Sequence, residues 1–173
     1  DSRHGDAVLL KMTSGSTGTP RATLTPEAVL MIDSHTLMST MRVGRDDVQV
    51  AAIPLSHAYG IGNLVVPLLI YGTPIVMREA FVPHRLPDDA RRFDARAFPG
   101  VPFMFEHFVK NPPAEGWPPQ LRNLMSAGAP LDTAVAQKFR GMFGVKIHPF
   151  YGTSETGGIT YDASDGPPAD GLV

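Results

Sequence analysis

The sequence contains no cysteine. Disulfides, thiolate metal sites and a cysteine nucleophile are therefore excluded. Excess charge of either sign is also missing: Lys plus Arg number 15, Asp plus Glu 17, and the net charge is −2. So small an imbalance gives no reason to expect nucleic acid or an anionic membrane surface as a partner. No apolar run approaches the ~20 residues of a membrane span. The first residues, Asp1-Ser2-Arg3-His4-Gly5-Asp6, are polar and lead into a very short apolar run, unlike a signal peptide. A cytoplasmic location is expected, and the lack of cysteine is compatible with it.

Gly and Pro, 17 of each, are plentiful and imply many turns between short elements. With 173 residues, 43% of them hydrophobic, the chain can form one domain with a sizeable core. Val8 to Met12 reads as a short buried strand. Thr25-Pro26-Glu27 reads as a helix start, with Thr25 as N-cap and Pro26 at the first helical position. The helix is predicted over 26–42, with Val29, Leu30, Ile32, Leu37, Met38 and Met41 apolar and Gly44 as its stop. Val48 to Ile53 reads as a buried strand. Ile61 to Ile70 reads as a buried helix closed by Gly72, and Pro74 to Met77 as another strand. Leu86 to Phe93 reads as a surface helix with Asp88, Asp89, Arg91 and Arg92 solvated. A strand over 95–98 and a turn at 99–102 lead to a helix whose Phe103, Phe105 and Phe108 are core candidates. A proline-rich surface loop surrounds Trp117. Leu121 to Ser126 is a predicted strand, Leu131 to Phe143 a helix ended by Gly144, and Val145 to Phe150 a strand. The Asp-, Gly- and Pro-rich tail from Asp162 is expected to be loosely ordered. This alternation predicts an α/β fold, a mostly parallel sheet flanked by helices.

Met12 to Ala22 concentrates chemistry. It holds five hydroxyl side chains, two glycines and the cation Arg21. Backbone N–H groups around Gly15 and Gly18 can close on an anion, and Thr13, Ser14, Ser16 and Thr17 can add donors. Arg21 adds charge that does not titrate away. A polyphosphate suits such a loop; a plain flexible Ser/Gly/Thr linker is the bland alternative. A P-loop is ruled out, because counting from Gly15 puts Pro20 where its second glycine belongs.

Ligands of open α/β sheets bind at the carboxyl ends of strands. The loop at 13–21, His57, the turn Ser126 to Pro130 and the turn 151–156 are all expected there. Tyr151-Gly152-Thr153-Ser154-Glu155 offers a flat ring, a close-approach glycine, two hydroxyls and a carboxylate that could hold a cation beside phosphates. Its bland reading is a solvated turn. For Ser126-Ala127-Gly128-Ala129-Pro130-Leu131 it is a plain strand-to-helix turn, and for His57 a structural histidine. The remaining histidines show no metal-ligand spacing.

The run Thr13 to Arg21 resembles the phosphate-loop signature of adenylate-forming enzymes, the superfamily that includes acyl-CoA synthetases and the adenylation domains of peptide synthetases. Arg21-Ala22 stands where that family usually has Lys-Gly. Tyr151 to Glu155 resembles its second signature, with Ser154 in place of the usual Thr. Ser126 to Leu131 resembles its Gly-Gly-Ala-Pro turn, with Ala127 for the first glycine. Pro54-Leu55-Ser56-His57-Ala58-Tyr59-Gly60 resembles the segment beside the reacting carboxylate. The likeness covers Val8 to about Gly158.

The resemblance implies ATP and Mg²⁺ as cofactors and coenzyme A as co-substrate. Nucleotide contacts would come from Thr13, Ser14, Gly15, Ser16, Thr17, Gly18, Arg21, Gly128, Ala129, Pro130, Tyr151, Gly152, Thr153, Ser154 and Glu155. Tyr151 would stack on adenine, Ser154 would touch the α-phosphate and Glu155 would bind Mg²⁺. His57, Glu155 and Arg21 would be catalytic. His57, Tyr59, Val101 and Gly128 would line the acyl pocket. The implied partners are a nucleotide and a small carboxylic acid, with a fatty acid the expected substrate. Loading of an amino or aryl acid onto a carrier protein is the alternative, and a non-catalytic nucleotide-binding module is another. The resemblance also implies that residues 1–173 are one partial N-terminal adenylation domain, without a C-terminal lid. Such a piece is expected to be inactive alone and to self-associate through uncovered apolar faces.

Overall fold

The computed structural model describes residues 5–12 and 21–167. A six-stranded sheet runs through them in the order β4-β3-β5-β6-β7-β8. Its strands are β3 (Gln49–Ala51), β4 (Ile75–Met77), β5 (Ala97–Gly100), β6 (Asn123–Ser126), β7 (Ile147–Thr153) and β8 (Gly157–Tyr161). β3 to β7 pair in parallel, and β8 returns antiparallel along β7. Successive residues of a strand face opposite sides of the sheet. Ala97 and Phe98, and likewise Leu124 and Met125, are all fully buried. Both faces are thus covered, as a parallel sheet requires, and the predicted fold class holds.

β1 (Ala7–Met12) and β2 (Ala22–Pro26) form a separate antiparallel hairpin. Here the expected buried strand is corrected. A two-stranded ribbon has one face to bury, and Leu9, Lys11, Thr23 and Thr25 take it. Val8, Leu10, Met12 and Leu24 are exposed on the other. Thr25 pairs with Leu9 and so belongs to β2, which makes Pro26 the N-cap of α1 (Glu27–Thr40). α1 ends before Gly44, because Arg42 turns to φ 53° and the Val43 N–H reaches back to the Met38 carbonyl. Of the apolar positions assigned to α1, Leu37 and nearby Met41 are buried, whereas Val29 and Ile32 are exposed.

The helix expected from Ile61 starts earlier. It comprises α2 (Ala58–Gly60), a π-helical turn (Ile61–Val65) and α3 (Val66–Tyr71), closed by Gly72 at φ 71°. Gly60 is sterically required: a Cβ there would lie 2.1 Å from the Pro54 carbonyl oxygen. α4 (Leu86–Arg92) is not wholly solvated. Its Asp89 is buried in a bidentate pair with Arg78, at 2.7 Å through Nε. Burial of a carboxylate requires such a partner.

α5 (Pro102–Lys110) and α6 (Thr133–Phe143) carry the aromatic core. Phe105 and Phe108 are buried there, but Phe103 is exposed, against expectation, because it lies on the outer side of α5. Trp117 is also buried rather than at the surface. Its indole N–H donates to the Leu121 carbonyl at 2.9 Å and its ring packs on Phe139. Residues 162–167 are tied down, not loose. Lys146 donates to Asp162 at 2.6 Å and to the Ser164 carbonyl at 2.8 Å, and Arg140 donates to the Gly166 carbonyl at 2.6 Å. Burial alone would raise the Asp162 carboxyl, but hydrogen bonds from Lys146 and Ser164 outweigh it and hold it below the usual carboxylate range.

Candidate functional site

The carboxyl ends of β5 and β6 lie side by side, with Gly100 paired to Ser126 and the Ala127 N–H donating to the Gly100 carbonyl at 3.2 Å. The chain leaves β6 through Gly128 at φ 85°, a left-handed conformation that suits glycine. A Cβ on Gly128 would touch Val101 at 3.5 Å, so the turn and the start of α5 are neighbours. Asp132 then caps α6 by accepting from the Ala134 N–H at 2.7 Å, which starts that helix later than expected.

β7 runs on through Tyr151, Gly152 and Thr153, so these residues are strand, not turn; the turn is Ser154 to Thr156. Gly152 is needed because a Cβ would sit 2.4 Å from the Gly157 carbonyl oxygen. The close approach at this glycine is therefore to the chain's own backbone. Thr153 Oγ1 accepts from the Thr156 N–H at 3.2 Å and meets its hydroxyl at 3.0 Å, so this side chain stabilises the turn. Tyr151 and Glu155 are exposed, and among the described residues Glu155 makes no hydrogen bond or ion pair.

A cleft of about 260 Å³ opens between these ends, α1 and the β1–β2 hairpin. It brings together His57, Tyr59, Gly128, Gly152, Thr153 and Ser154, which lie far apart in sequence. His57 sits on its rim. Nδ1 accepts from the Tyr59 N–H at 3.2 Å as the N-cap of α2. That bond leaves the proton on Nε2, a donor for a ligand oxygen. Tyr59 is anchored in the core: its hydroxyl donates to the Met125 carbonyl at 3.4 Å and its ring packs on Phe150 at 5.8 Å. Burial raises its phenol well above the ordinary value, so it stays neutral.

Tyr151, Glu155, Ala129, Pro130, Val101 and Arg21 do not line this cleft. Arg21 lies immediately before β2 and is exposed. Thr13, Ser14, Gly15, Ser16, Thr17 and Gly18 lie outside the described residues; Met12 and Ala22, on either side, are paired.

The cleft also contains residues the motifs did not single out, Lys11 and Asp33 among them. Asp33 Oδ1 accepts from the Gly158 N–H at 3.3 Å. A signal for it was present. Leu30, Asp33 and Leu37 share one face of a helix, so a charge interrupts an otherwise apolar stripe.

The chain is similar to known proteins in sequence and in fold. A family model described as AMP-binding enzyme matches residues 2–171. Benzoate–CoA ligase of Thauera aromatica is 34% identical over 149 residues, covering 82% of this chain and 28% of that protein. ATP-bound MatB from Rhodopseudomonas palustris superposes with a TM-score of 0.79 at 25% identity, over 93% of this chain and 32% of that one. A malonyl-CoA ligase holding methylmalonyl-CoA and AMP gives 0.82 at 27% identity, over 96% of this chain and 37% of that one. The chain thus spans about a third of the length of these relatives.

Proposed function

The chain belongs to the AMP-binding enzyme family, and on that footing we propose that the protein carrying it is an AMP-forming acid–thiol ligase. A carboxylate oxygen attacks the α-phosphorus of ATP, the bond to the β-phosphate bridging oxygen breaks, and pyrophosphate leaves. The thiol of coenzyme A then attacks the acyl carbon and AMP departs. The observation that carries this reading is the cleft in which His57, Gly128 and Gly152 to Ser154 converge at the carboxyl edge of the sheet. That two of the relatives named above, benzoate–CoA ligase and malonyl-CoA ligase, are CoA ligases favours coenzyme A over a carrier protein as acceptor.

Catalysis of the first step is mainly positioning and charge stabilisation. Within this reading His57 Nε2 donates to the acid and orients it. Ser154 contacts the α-phosphate, Tyr151 stacks on adenine, and Arg21 faces the outer phosphates. Among the described residues no group of three or more His, Asp or Glu could hold a metal by itself. Mg²⁺ is commonly bound by one or two carboxylates together with substrate phosphates and water. Glu155, exposed and unpaired among the described residues, is the carboxylate assigned to it. The ion would neutralise phosphate charge.

The acid is read as one with an apolar body. A fatty acid fits that description, but Phe105 and Phe108 belong to the core, and only Ile61, Gly62 and Asn63 of the apolar 61–70 run line the cleft. The test incubates the full-length protein with ATP, Mg²⁺, coenzyme A and a panel of aromatic, short-chain and fatty acids, reading pyrophosphate and thioester. Acid-dependent pyrophosphate is expected, followed by thioester. Nucleotide binding without any acid-dependent pyrophosphate would make this a binding module. Pyrophosphate without thioester would point to a carrier protein. Residues 1–173 alone are expected to form no thioester, since they span only about a third of the length of the CoA ligases they match.

A further inference from the structure

The cleft walls are apolar at Leu9, Leu30, Leu37, Ile61 and Phe150, yet α1 places a carboxylate among them. Asp33 is half-buried, and its position is fixed. Oδ1 accepts from the Gly158 N–H, and a Cβ on Gly157 would lie 2.5 Å from Oδ2. The absence of a side chain at Gly157 thus lets the carboxylate lie against the β7–β8 turn. Docking α1 to that turn uses only Oδ1. Among the described residues Oδ2 receives no donor, and Asp33 has no ion pair. A partly desolvated carboxylate on an apolar wall is favoured by a further donor.

The same cleft holds Lys11, which has no ion pair among the described residues either. The two charges cancel over the cleft as a whole. An ammonium group on the ligand would meet Lys11, and a second carboxylate would meet Asp33. A neutral donor meets neither objection. The volume, about 260 Å³, falls just below the usual range for drug-sized ligands and suits a small acid. We propose that Asp33 selects the acid in this cleft: it accepts a hydrogen bond from a hydroxyl carried on the apolar body of a small carboxylic acid. This rests on the adenylation reading above and names the substrate class for it.

A site built to hydrogen-bond a substrate hydroxyl rejects the analogue lacking it, because the buried partner is left unpaired. The full-length protein and its Asp33→Asn and Asp33→Leu variants are assayed for acid-dependent pyrophosphate. The acids are benzoic, 3-hydroxybenzoic, 4-hydroxybenzoic, hexanoic and succinic. In the parent, one hydroxybenzoate is expected to exceed benzoate in kcat/KM by about 10-fold or more. Asp33→Leu brings that ratio to about one, whatever the loss of the Gly158 contact does to the absolute rate with benzoate. Asp33→Asn keeps an oxygen for the Gly158 N–H, so it folds normally and lowers the ratio in the same direction. A purely structural Asp33 would depress all acids together; an unchanged ratio in a folded variant overturns the proposal. So does a parent that prefers benzoate, hexanoate or succinate. Absence of pyrophosphate with every acid in the parent overturns the adenylation reading, and this one with it.

Discussion

The two helical sides of the sheet are finished differently. Around α5 and α6 the aromatic rings form a continuous block. Phe98 meets Phe105 at 5.4 Å, Phe105 meets Phe139 at 5.8 Å, and Phe139 meets both Trp117 at 4.9 Å and Phe143 at 4.7 Å. The rings are tilted or edge-on, arrangements that add to the gain from burial. Around α1 and the β1–β2 hairpin, apolar side chains face outward instead: Val29 is 53% exposed, Met12 64% and Ile32 68%. The cleft lies on this second side. The lesson is a division of labour. A close-packed block fixes the sheet, and the elements around the cleft leave more apolar side chain uncovered, where local opening costs less.

The strongest way to break the comparison is to remove the centre of the block. Phe139→Ala is expected to cost about 3–5 kcal/mol in denaturant-unfolding measurements, since the rings around it cannot collapse into the space. A loss below 1 kcal/mol would mean the block is not rigid. At the cleft the opposite pattern is expected. Glu155→Gln leaves the unfolding midpoint in place, because the side chain is exposed and unpaired among the described residues. Pyrophosphate formation in the full-length protein should fall about 10²-fold, the usual scale for one lost electrostatic contact at a transferring phosphate. Undiminished Mg²⁺-dependent rates would return Glu155 to the solvated surface.

β7 links the two regions and carries a smaller, pH-dependent effect. Burial lowers the His148 imidazole below its ordinary value of 6.5, against the opposing pull of the Asp162 carbonyl 2.8 Å from Nδ1. The unfolded chain therefore binds the proton more readily than the folded one. Stability is complete above about pH 6.5 and declines as pH falls from there through the lower folded value. Thermal unfolding from pH 8 to 5 should show this decline, and His148→Gln should flatten it. A midpoint rising toward acid would contradict the assignment.

What could be read from the sequence was local. Gly72 and Gly144 both close helices at φ 71°, as their position after apolar runs suggests. The 13–21, 54–60, 126–131 and 151–155 stretches stood out because each packs several chemical signals into a few residues. What escaped depended on distant partners. Asp89 looked solvated on its helix until Arg78, at the end of another strand, supplied a counter-charge. The acidic tail looked loose because Lys146, its anchor, lies sixteen residues earlier in the chain than Asp162. β8 was missed because a short strand containing Gly157 and Gly158 shows little period; it is specified by close packing against Asp33, Leu37 and Phe150. Asp33 was passed over for a related reason. Its helix was read for apolar positions, and a lone carboxylate at that spacing gains meaning only with the β7–β8 turn opposite.

The smallest expected effect sharpens the contrast from the open side. Ile32 is the most exposed of the large apolar residues on α1, at 68%. Most of its side chain already meets water in the folded chain, so little transfer free energy is lost when it is replaced. Helix propensity changes only slightly from Ile to Asn. Ile32→Asn in residues 1–173 should therefore shift unfolding by no more than about 0.5 kcal/mol, the range of ordinary surface changes. Exposed apolar residues also favour self-association. The same substitution should then reduce any concentration-dependent sedimentation of residues 1–173 while leaving the unfolding midpoint alone. A destabilisation above 1 kcal/mol would mean that Ile32 is packed in solution, and that the open side is as finished as the aromatic one.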